Sequence, residues 1–231
     1  MAYNFAEGEI ILINKSLNWT SFDVVRRIRN AIRFKKIGHA GTLDPLATGL
    51  LILATGKKTK MISTFQNTNK EYTGIITLGG TTPCFDLEIP VDTFYPTEHI
   101  TDAMIYATAQ TFIGEQTQYP PIFSAVKQNG KPLYLLARKN EEIELKKRHI
   151  TIHEFEITKI EMPNVYFRVV CTSGTYIRSL ANDFGKSLQS GSHLSKLCRT
   201  KSGDFDVTHV PTVNEWIDEF KKQTEVEKEL F

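Results

Sequence analysis

Cysteine is scarce in this chain. The three that occur in 231 residues, Cys84, Cys171 and Cys198, are widely spaced and form no CxxC pair. An odd, scattered set argues against a disulfide framework and against a thiolate zinc site. Such residues read as small semi-buried hydrophobes. Long apolar runs are missing too. The best, Ile10–Ile13 and Leu50–Ala54, are far too short to cross a bilayer. The first ten residues carry two glutamates and no basic residue. They therefore lack the start of a secretory signal, and the chain reads as cytoplasmic. No repeat or low-complexity segment is visible. Excess charge is also lacking: 28 basic against 26 acidic side chains leave a net +2. Overall charge alone does not announce a polyanion partner.

The distribution of that charge says more. RRIRNAIRFKK, from Arg26 to Lys36, holds six basic residues and no acidic one, while the last twenty residues hold six acidic and three basic. A local basic stripe attracts a polyanion even on a nearly neutral chain. Its bland reading is a solvated helix face.

Glu9–Lys15 reads as a short buried strand. A helix follows, capped by Thr20 or Ser21, with Val24, Val25, Ile28, Ala31 and Ile32 at helical spacing. That spacing puts Arg26, Arg29 and Arg33 on another face, with Lys35 and Lys36 just beyond. The segment 35–49 has three glycines, one proline and two threonines, and reads as an ordered loop. Leu50–Ala54 reads as a buried strand and Lys58–Phe65 as a short helix. Further along, Glu71–Leu78, Arg148–Met162, Val165–Thr172 and Leu194–Arg199 read as strands. Thr97–Phe112, Pro132–Lys139, Thr175–Leu188 and a final stretch from Pro211 read as helices. Paired strands without helices between them give an α+β fold with a mixed, largely antiparallel central sheet flanked by helices.

A long irregular loop between structured neighbours is usually functional or disordered. This one is poor in charge and adjoins buried strands, which favours order. Its polar side chains are His39, Thr42, Asp44 and Thr48. Asp44 precedes Pro45, which biases its backbone away from the helical region. On physics alone, an Asp before Pro is more often a turn or cap residue. A phosphate-cradle reading of GLLILATGK fails, because six residues separate the glycines where four are needed, and Lys58 stands where Ser or Thr is required.

GHAGTLDPLATGLL, Gly38–Leu51, closely resembles the signature of the TruB family of tRNA pseudouridine synthases. NKSLNWTSFDVV, KEYTG, YPPIFSAVKQNGKPLYLLAR, CTSGTYIRSLANDFG and HLSKLCRTKSGDF resemble further family blocks in the expected order. The resemblance covers roughly residues 8–210. In the first block the family usually has Pro after the lysine, where this chain has Ser16. The resemblance implies a pseudouridine synthase catalytic fold over residues 1–210. It leaves 211–231 as a short C-terminal helix or tail without the RNA-gripping PUA domain of many members. It implies isomerisation of uridine to pseudouridine at position 55 in the T loop of tRNA. The partner is then the T-arm stem-loop, and the protein a monomer needing no cofactor, metal or nucleotide and no membrane.

The roles implied follow the matched positions. Asp44 is the catalytic carboxylate, which suits attack on sugar or base or removal of a proton. Arg178 keeps it ionised and aimed. Tyr72 stacks on the flipped base, and Tyr176 positions it or moves a proton. His39 fills the hole that the base leaves. Leu197 walls the base pocket, Lys15 supports the site, and Lys60 touches RNA phosphate. The stripe of Arg26, Arg29, Arg33, Lys35 and Lys36 leads into this loop, which favours RNA contact over an idle face. Two other readings stand beside this one: a non-catalytic tRNA-binding or folding protein, and a synthase acting on another T-loop-like RNA.

Overall fold

A computed structural model describes residues 3–124, 127–128, 130–137 and 144–229. The strands are β1 (Ile10–Lys15), β2 (Ile37–Ala40), β3 (Ala47–Thr55), β4 (Lys70–Leu78), β5 (Gly80–Thr81), β6 (Thr93–Phe94), β7 (Gly114–Gln118), β8 (Lys127–Gln128), β9 (Lys131–Pro132), β10 (Arg148–Glu161), β11 (Asn164–Cys171), β12 (Ser192–Ser202) and β13 (Phe205–Asp206). The helices are α1 (Ser21–Ile32), α2 (Ile62–Gln66), α3 (Asp102–Thr111), α4 (Leu133–Ala137), α5 (Ile177–Ser187) and α6 (Val213–Glu229). The chain forms two compact units, residues 1–71 with 198–231, and residues 72–197. Strands and helices are mixed, and β1–β3, β2–β3, β7–β10, β10–β11 and β12–β13 all pair antiparallel. The fold is α+β, as expected. No described helix is long and apolar enough to cross a membrane.

In the first unit the strand order is β1-β3-β12, with β2 also on β3 and β13 on β12. All but one residue of β3 is buried, so ATGLLILAT reads as a continuous apolar run rather than an alternation. Helix α1 opens with a full capping box. The Thr20 hydroxyl accepts from the Asp23 N–H, and the Asp23 carboxylate accepts from the Thr20 N–H. Its buried stripe of Val24, Val25, Ile28 and Ile32 joins Ile11, Ile13, Leu51 and Leu53 in one core cluster. Val213, Trp216 and Ile217 of α6 belong to the same cluster. Of the basic stripe, Arg26, Arg33, Lys35 and Lys36 are exposed and Arg29 is half-buried.

The segment 35–49 departs from its reading as one loop. Ile37–Ala40 is a strand paired with Ile52–Thr55, and β3 starts at Ala47. Only Gly41–Leu46 is irregular. Helix Lys58–Phe65 is instead a 3₁₀ turn, Gly56–Met61, running into α2. Helix α3 starts five residues later than Thr97, where Thr101 caps it. Residues 138–139 of the expected Pro132–Lys139 helix lie outside the described residues.

Gly49 shows how closely β3 and β12 approach. Its φ is +101°, and a Cβ there would lie 2.3 Å from the Arg199 carbonyl oxygen. The clash is with backbone, which cannot swing aside. Gly49→Ala is expected to lose about 3 kcal/mol or more in urea unfolding. A loss below about 1 kcal/mol would mean that β12 retreats freely at this point.

In the second unit the order is β12-β4-β11-β10-β7. Alternate residues of β11, Val165, Phe167, Val169 and Cys171, point into the core. There they meet the buried face of α5, Ile177, Leu180, Ala181 and Phe184. Phe155 packs edge-to-face on Phe167 and Phe184.

Candidate active site

In the first unit, the short loop Gly41–Leu46 is the turn between β2 and β3. Gly41 enters it at φ +84°, a backbone conformation that favours glycine. The loop is tied down at each stage. The Ser21 hydroxyl, buried at the first turn of α1, accepts from the Leu43 N–H at 2.8 Å and donates to the Leu43 carbonyl at 3.1 Å. The Asp44 carbonyl closes a turn by accepting from Ala47 N–H. The Pro45 carbonyl accepts from the Asn18 N–H at 2.9 Å. Asp44 is therefore held, half-buried, between two anchored neighbours.

Lys15 lies beneath this loop. It ends β1 on the inward face shared by Ile11 and Ile13, and is fully buried. Its ammonium donates to the carbonyls of Ser16, Trp19 and Pro45, at 3.1, 2.6 and 3.4 Å. Burial brings its pKa down from 10.5 to about 8; the Asp44 carboxylate opposes that shift and the Arg199 guanidinium adds to it. The folded chain thus gives up this proton more readily than the unfolded one. Below pH 8 the lysine is charged in both states and the penalty is complete. From about pH 8 to 10.5 the unfolded state binds the extra proton, so this group makes stability rise with pH. Relative to Lys15→Met, the wild type is expected to gain urea stability between pH 7.5 and pH 10. A difference that does not change with pH would contradict this.

Arg199, in β12, is the structural strap of the loop. It is 1% exposed, and its Nε and Nη2 donate to the carbonyls of Leu50 and Gly41, at either end of the loop. Its charge also acts on His39. Burial first, and Arg199 second, lower the His39 pKa, against a smaller pull from the Gly41 backbone. The ring is thereby kept neutral. Its Nδ1 is buried without a hydrogen-bond partner among the described residues.

The second unit holds the other expected residues. Tyr72 in β4 and Leu197 in β12 pack, half-buried, against its core. Tyr176 is the N-cap residue of α5. The buried Gln118 side chain grips its backbone, accepting from the N–H at 2.8 Å and donating to the carbonyl at 3.0 Å. The Arg148 guanidinium lies over its ring, 5.7 Å from the centroid. Arg178 is buried. Its Nη1 and Nη2 donate to the Cys84 and Phe123 carbonyls, both at 3.1 Å, and its Nε lies 3.6 Å from the Asp86 carboxylate. Asp86 is itself fixed by the Cys84 thiol and the Glu88 N–H. Burial, then Asp86, push the Cys84 thiol pKa up, so it stays a donor.

Lys60 stands exposed on the 3₁₀ turn of the first unit. Four contributors escaped the sequence reading: Ser21, Asp86, Gln118 and Arg199. Arg199 sits inside the block HLSKLCRTKSGDF, where a charge amid strand residues is the available signal. Nothing in the spacing of TTPCFDLE marks Asp86. Among the described residues, no group of three or more His, Cys, Asp or Glu is placed to hold a metal ion.

Comparisons with known proteins agree on one family. A tRNA pseudouridine synthase B of Flavobacterium johnsoniae is 55% identical over 210 residues, covering 88% of this chain and 92% of the relative. One of Phocaeicola vulgatus is 50% identical over 225 residues, covering 94% and 96%. Among solved structures, a chain in the crystal structure of a Cbf5-Nop10-Gar1 complex superposes with a TM-score of 0.76 at 29% identity. The match covers 96% of this chain and 57% of that longer one. Residues 29–177 match the TruB family pseudouridylate synthase N-terminal domain, and the chain belongs to that family.

Proposed function

We propose that this protein isomerises uridine to pseudouridine in tRNA, at position 55 of the T loop, with Asp44 as the catalytic carboxylate. The observation that carries the reading is Asp44 itself, held on a short loop pinned by Ser21 and Arg199, beside a buried lysine. The relatives named as tRNA pseudouridine synthase B support the substrate class.

The reaction breaks the bond from ribose C1′ to uracil N1 and forms one from C1′ to C5. The proton on C5 leaves and N1 gains one, so the atoms balance without a cofactor. A carboxylate serves either as nucleophile at C1′ or as base toward the ribose. Lys15 and Arg178 supply positive charge that favours its ionised form. The target base must leave its stack to be reached. Tyr72 then stacks on it, Leu197 walls its pocket and Tyr176 positions it. His39, its pKa lowered by burial and its buried Nδ1 without a partner among the described residues, suits the gap left in the RNA, where it can stack and hydrogen-bond. Lys60 and the stripe Arg26–Lys36 meet phosphate. In this reading residues 1–210 are the catalytic portion, α6 completes its core, and the working form is a cytoplasmic monomer.

The test uses an unmodified T-arm stem-loop and unrelated uridine-bearing hairpins, with no metal or nucleotide added. Pseudouridine in the T-arm alone is the expected result. Equal product in every hairpin would replace T-loop selectivity with a broader RNA target. No product from these or from full-length tRNA, with binding intact, would leave a non-catalytic tRNA-binding protein.

A further inference from the structure

A groove of about 720 Å³, open to solvent, lies on the first unit beside α1. Apart from Arg26 and Arg27, which belong to the basic stripe, its lining is outside the set of residues assigned to the reaction above. Its size is that of a small-ligand site. Its lining includes three residues that carry carboxamides, Asn18, Asn30 and Asn214, together with Trp19 and Arg27. The one acid in its lining among the described residues, Asp23, is occupied. It caps α1 through Thr20 and pairs with Arg26 at 2.9 Å. Arg27 is exposed and enters no ion pair among the described residues. Among the described residues the lining therefore carries one uncompensated positive charge.

The composition selects a class of ligand. Among the described residues no aliphatic side chain lines the groove, which disfavours an apolar peptide or a lipid tail. Carboxamides both donate and accept, which matches the mixed edge of a nucleobase. An indole gives a stacking face to any base, and a guanidinium makes a forked pair with phosphate. Unpaired nucleotides are recognised by this combination.

The groove also adjoins the catalytic loop through one strut. The segment Ser16–Ser21 lines the groove with Asn18 and Trp19, and its other contacts hold the loop. Asn18 N–H donates to Pro45, Ser21 binds Leu43, and the Trp19 carbonyl accepts from Lys15. Asn18 is fixed at φ +64° while doing so. A ligand in the groove would therefore rest on the same rigid segment that supports Asp44.

We propose that this groove binds an unpaired nucleotide of the substrate RNA other than the uridine that is isomerised, with Arg27 on its phosphate and the carboxamides of Asn18, Asn30 and Asn214 on its base. The inference rests on the RNA-modifying function proposed above.

The experiment measures the Kd of the full chain and of Arg27→Ala and Asn30→Leu for two probes, the unmodified T-arm stem-loop and unmodified full-length tRNA, over a series of salt concentrations. Both substitutions are at exposed positions of a long helix and leave its buried stripe intact. Arg27→Ala should raise Kd about tenfold and reduce the slope of log Kd against log salt by about one. Asn30→Leu should raise Kd severalfold with the slope unchanged. Trp19 emission should change on RNA binding, and Trp19→Phe should abolish that change, because the other tryptophan, Trp216, is buried in a stack with Phe220. A defect with both probes puts the nucleotide within the T arm, and a defect with tRNA alone puts it outside. Wild-type affinity for both probes in both variants, with Trp19 emission indifferent to RNA, would overturn the proposal. Pseudouridine is assayed in the same samples. Product from wild type with unaltered variant binding defeats the groove alone. Absence of product defeats the enzymatic reading and leaves the groove to be judged by binding.

Discussion

Asp44→Asn is expected to lower single-turnover pseudouridine formation by about 10⁴-fold or more, the scale seen when an enzyme loses its nucleophile. The substitution is nearly isosteric, and the backbone on both sides of it is anchored independently. Ser21 grips Leu43, Arg199 grips Gly41 and Leu50, and Asn18 grips Pro45. Fold and tRNA affinity should thus survive while the chemistry fails. The Lys15 proton gives a second readout. The Asp44 carboxylate helps Lys15 keep its charge. Removing it should lower the Lys15 pKa further below 8, visible as a stability rise that begins at lower pH. A variant that keeps even a hundredth of the wild-type rate would clear Asp44 of the role assigned to it.

Arg178→Met is expected to cost both stability and activity, and a second substitution separates the two. Arg178 and Asp86 are each about 5% exposed at the side chain, and the loss of the arginine leaves Asp86 as a buried charge with its main counter-ion gone. Breaking a buried pair from one side costs about 3–5 kcal/mol. Adding Asp86→Asn removes the stranded charge. The double variant should recover more than half of the lost stability in urea, because replacing both partners is far milder than replacing one. Its rate should stay down by about 10²-fold or more, since the positive charge proposed to keep Asp44 ionised is still absent. Arg178→Lys should fail as well. An ammonium retains the charge but cannot reach the Cys84 and Phe123 carbonyls together as the fork does. Recovery of activity in the double variant would reduce Arg178 to a structural ion pair.

What could be read from the sequence follows the range of the forces involved. Helix α1 is legible because Val24, Val25, Ile28 and Ile32 repeat at helical spacing behind a capping residue, Thr20 or Ser21, all within thirteen residues. The strand pair β10–β11 was legible from two long apolar-rich runs around one turn. Strand β2 was not. Ile37–Ala40 is four residues with a glycine and a histidine, and its pairing is dictated by β3, not by any alternation of its own. The site divides in the same way. Spacing and composition singled out the segment around Asp44 but left the aspartate as an ordinary turn residue. The catalytic role proposed for it rests on the resemblance of GHAGTLDPLATGLL to a family signature. The residues that hold the site were invisible because their partners are remote. Arg199 binds Leu50 across 149 positions, Arg178 binds Cys84 across 94, and Gln118 binds Tyr176 across 58. No local pattern encodes such pairings. Lys15 was noted as a support for the site, but its complete burial on the face of Ile11 and Ile13 runs against the usual placement of lysine and emerged only from the fold.

In the proposed reaction one carboxylate acts on one uridine. The most direct measurement is release of tritium from tRNA carrying [5-³H]uridine, combined with mapping of pseudouridine at single-nucleotide resolution. Forming the new bond at C5 expels the hydrogen there, so wild type should release one tritium per pseudouridine, confined to position 55, without added metal or nucleotide. Asp44→Asn, folded and bound to the same tRNA, should release none in that time. Release by the variant at the wild-type rate, or pseudouridine spread over other uridines of the tRNA, would contradict it.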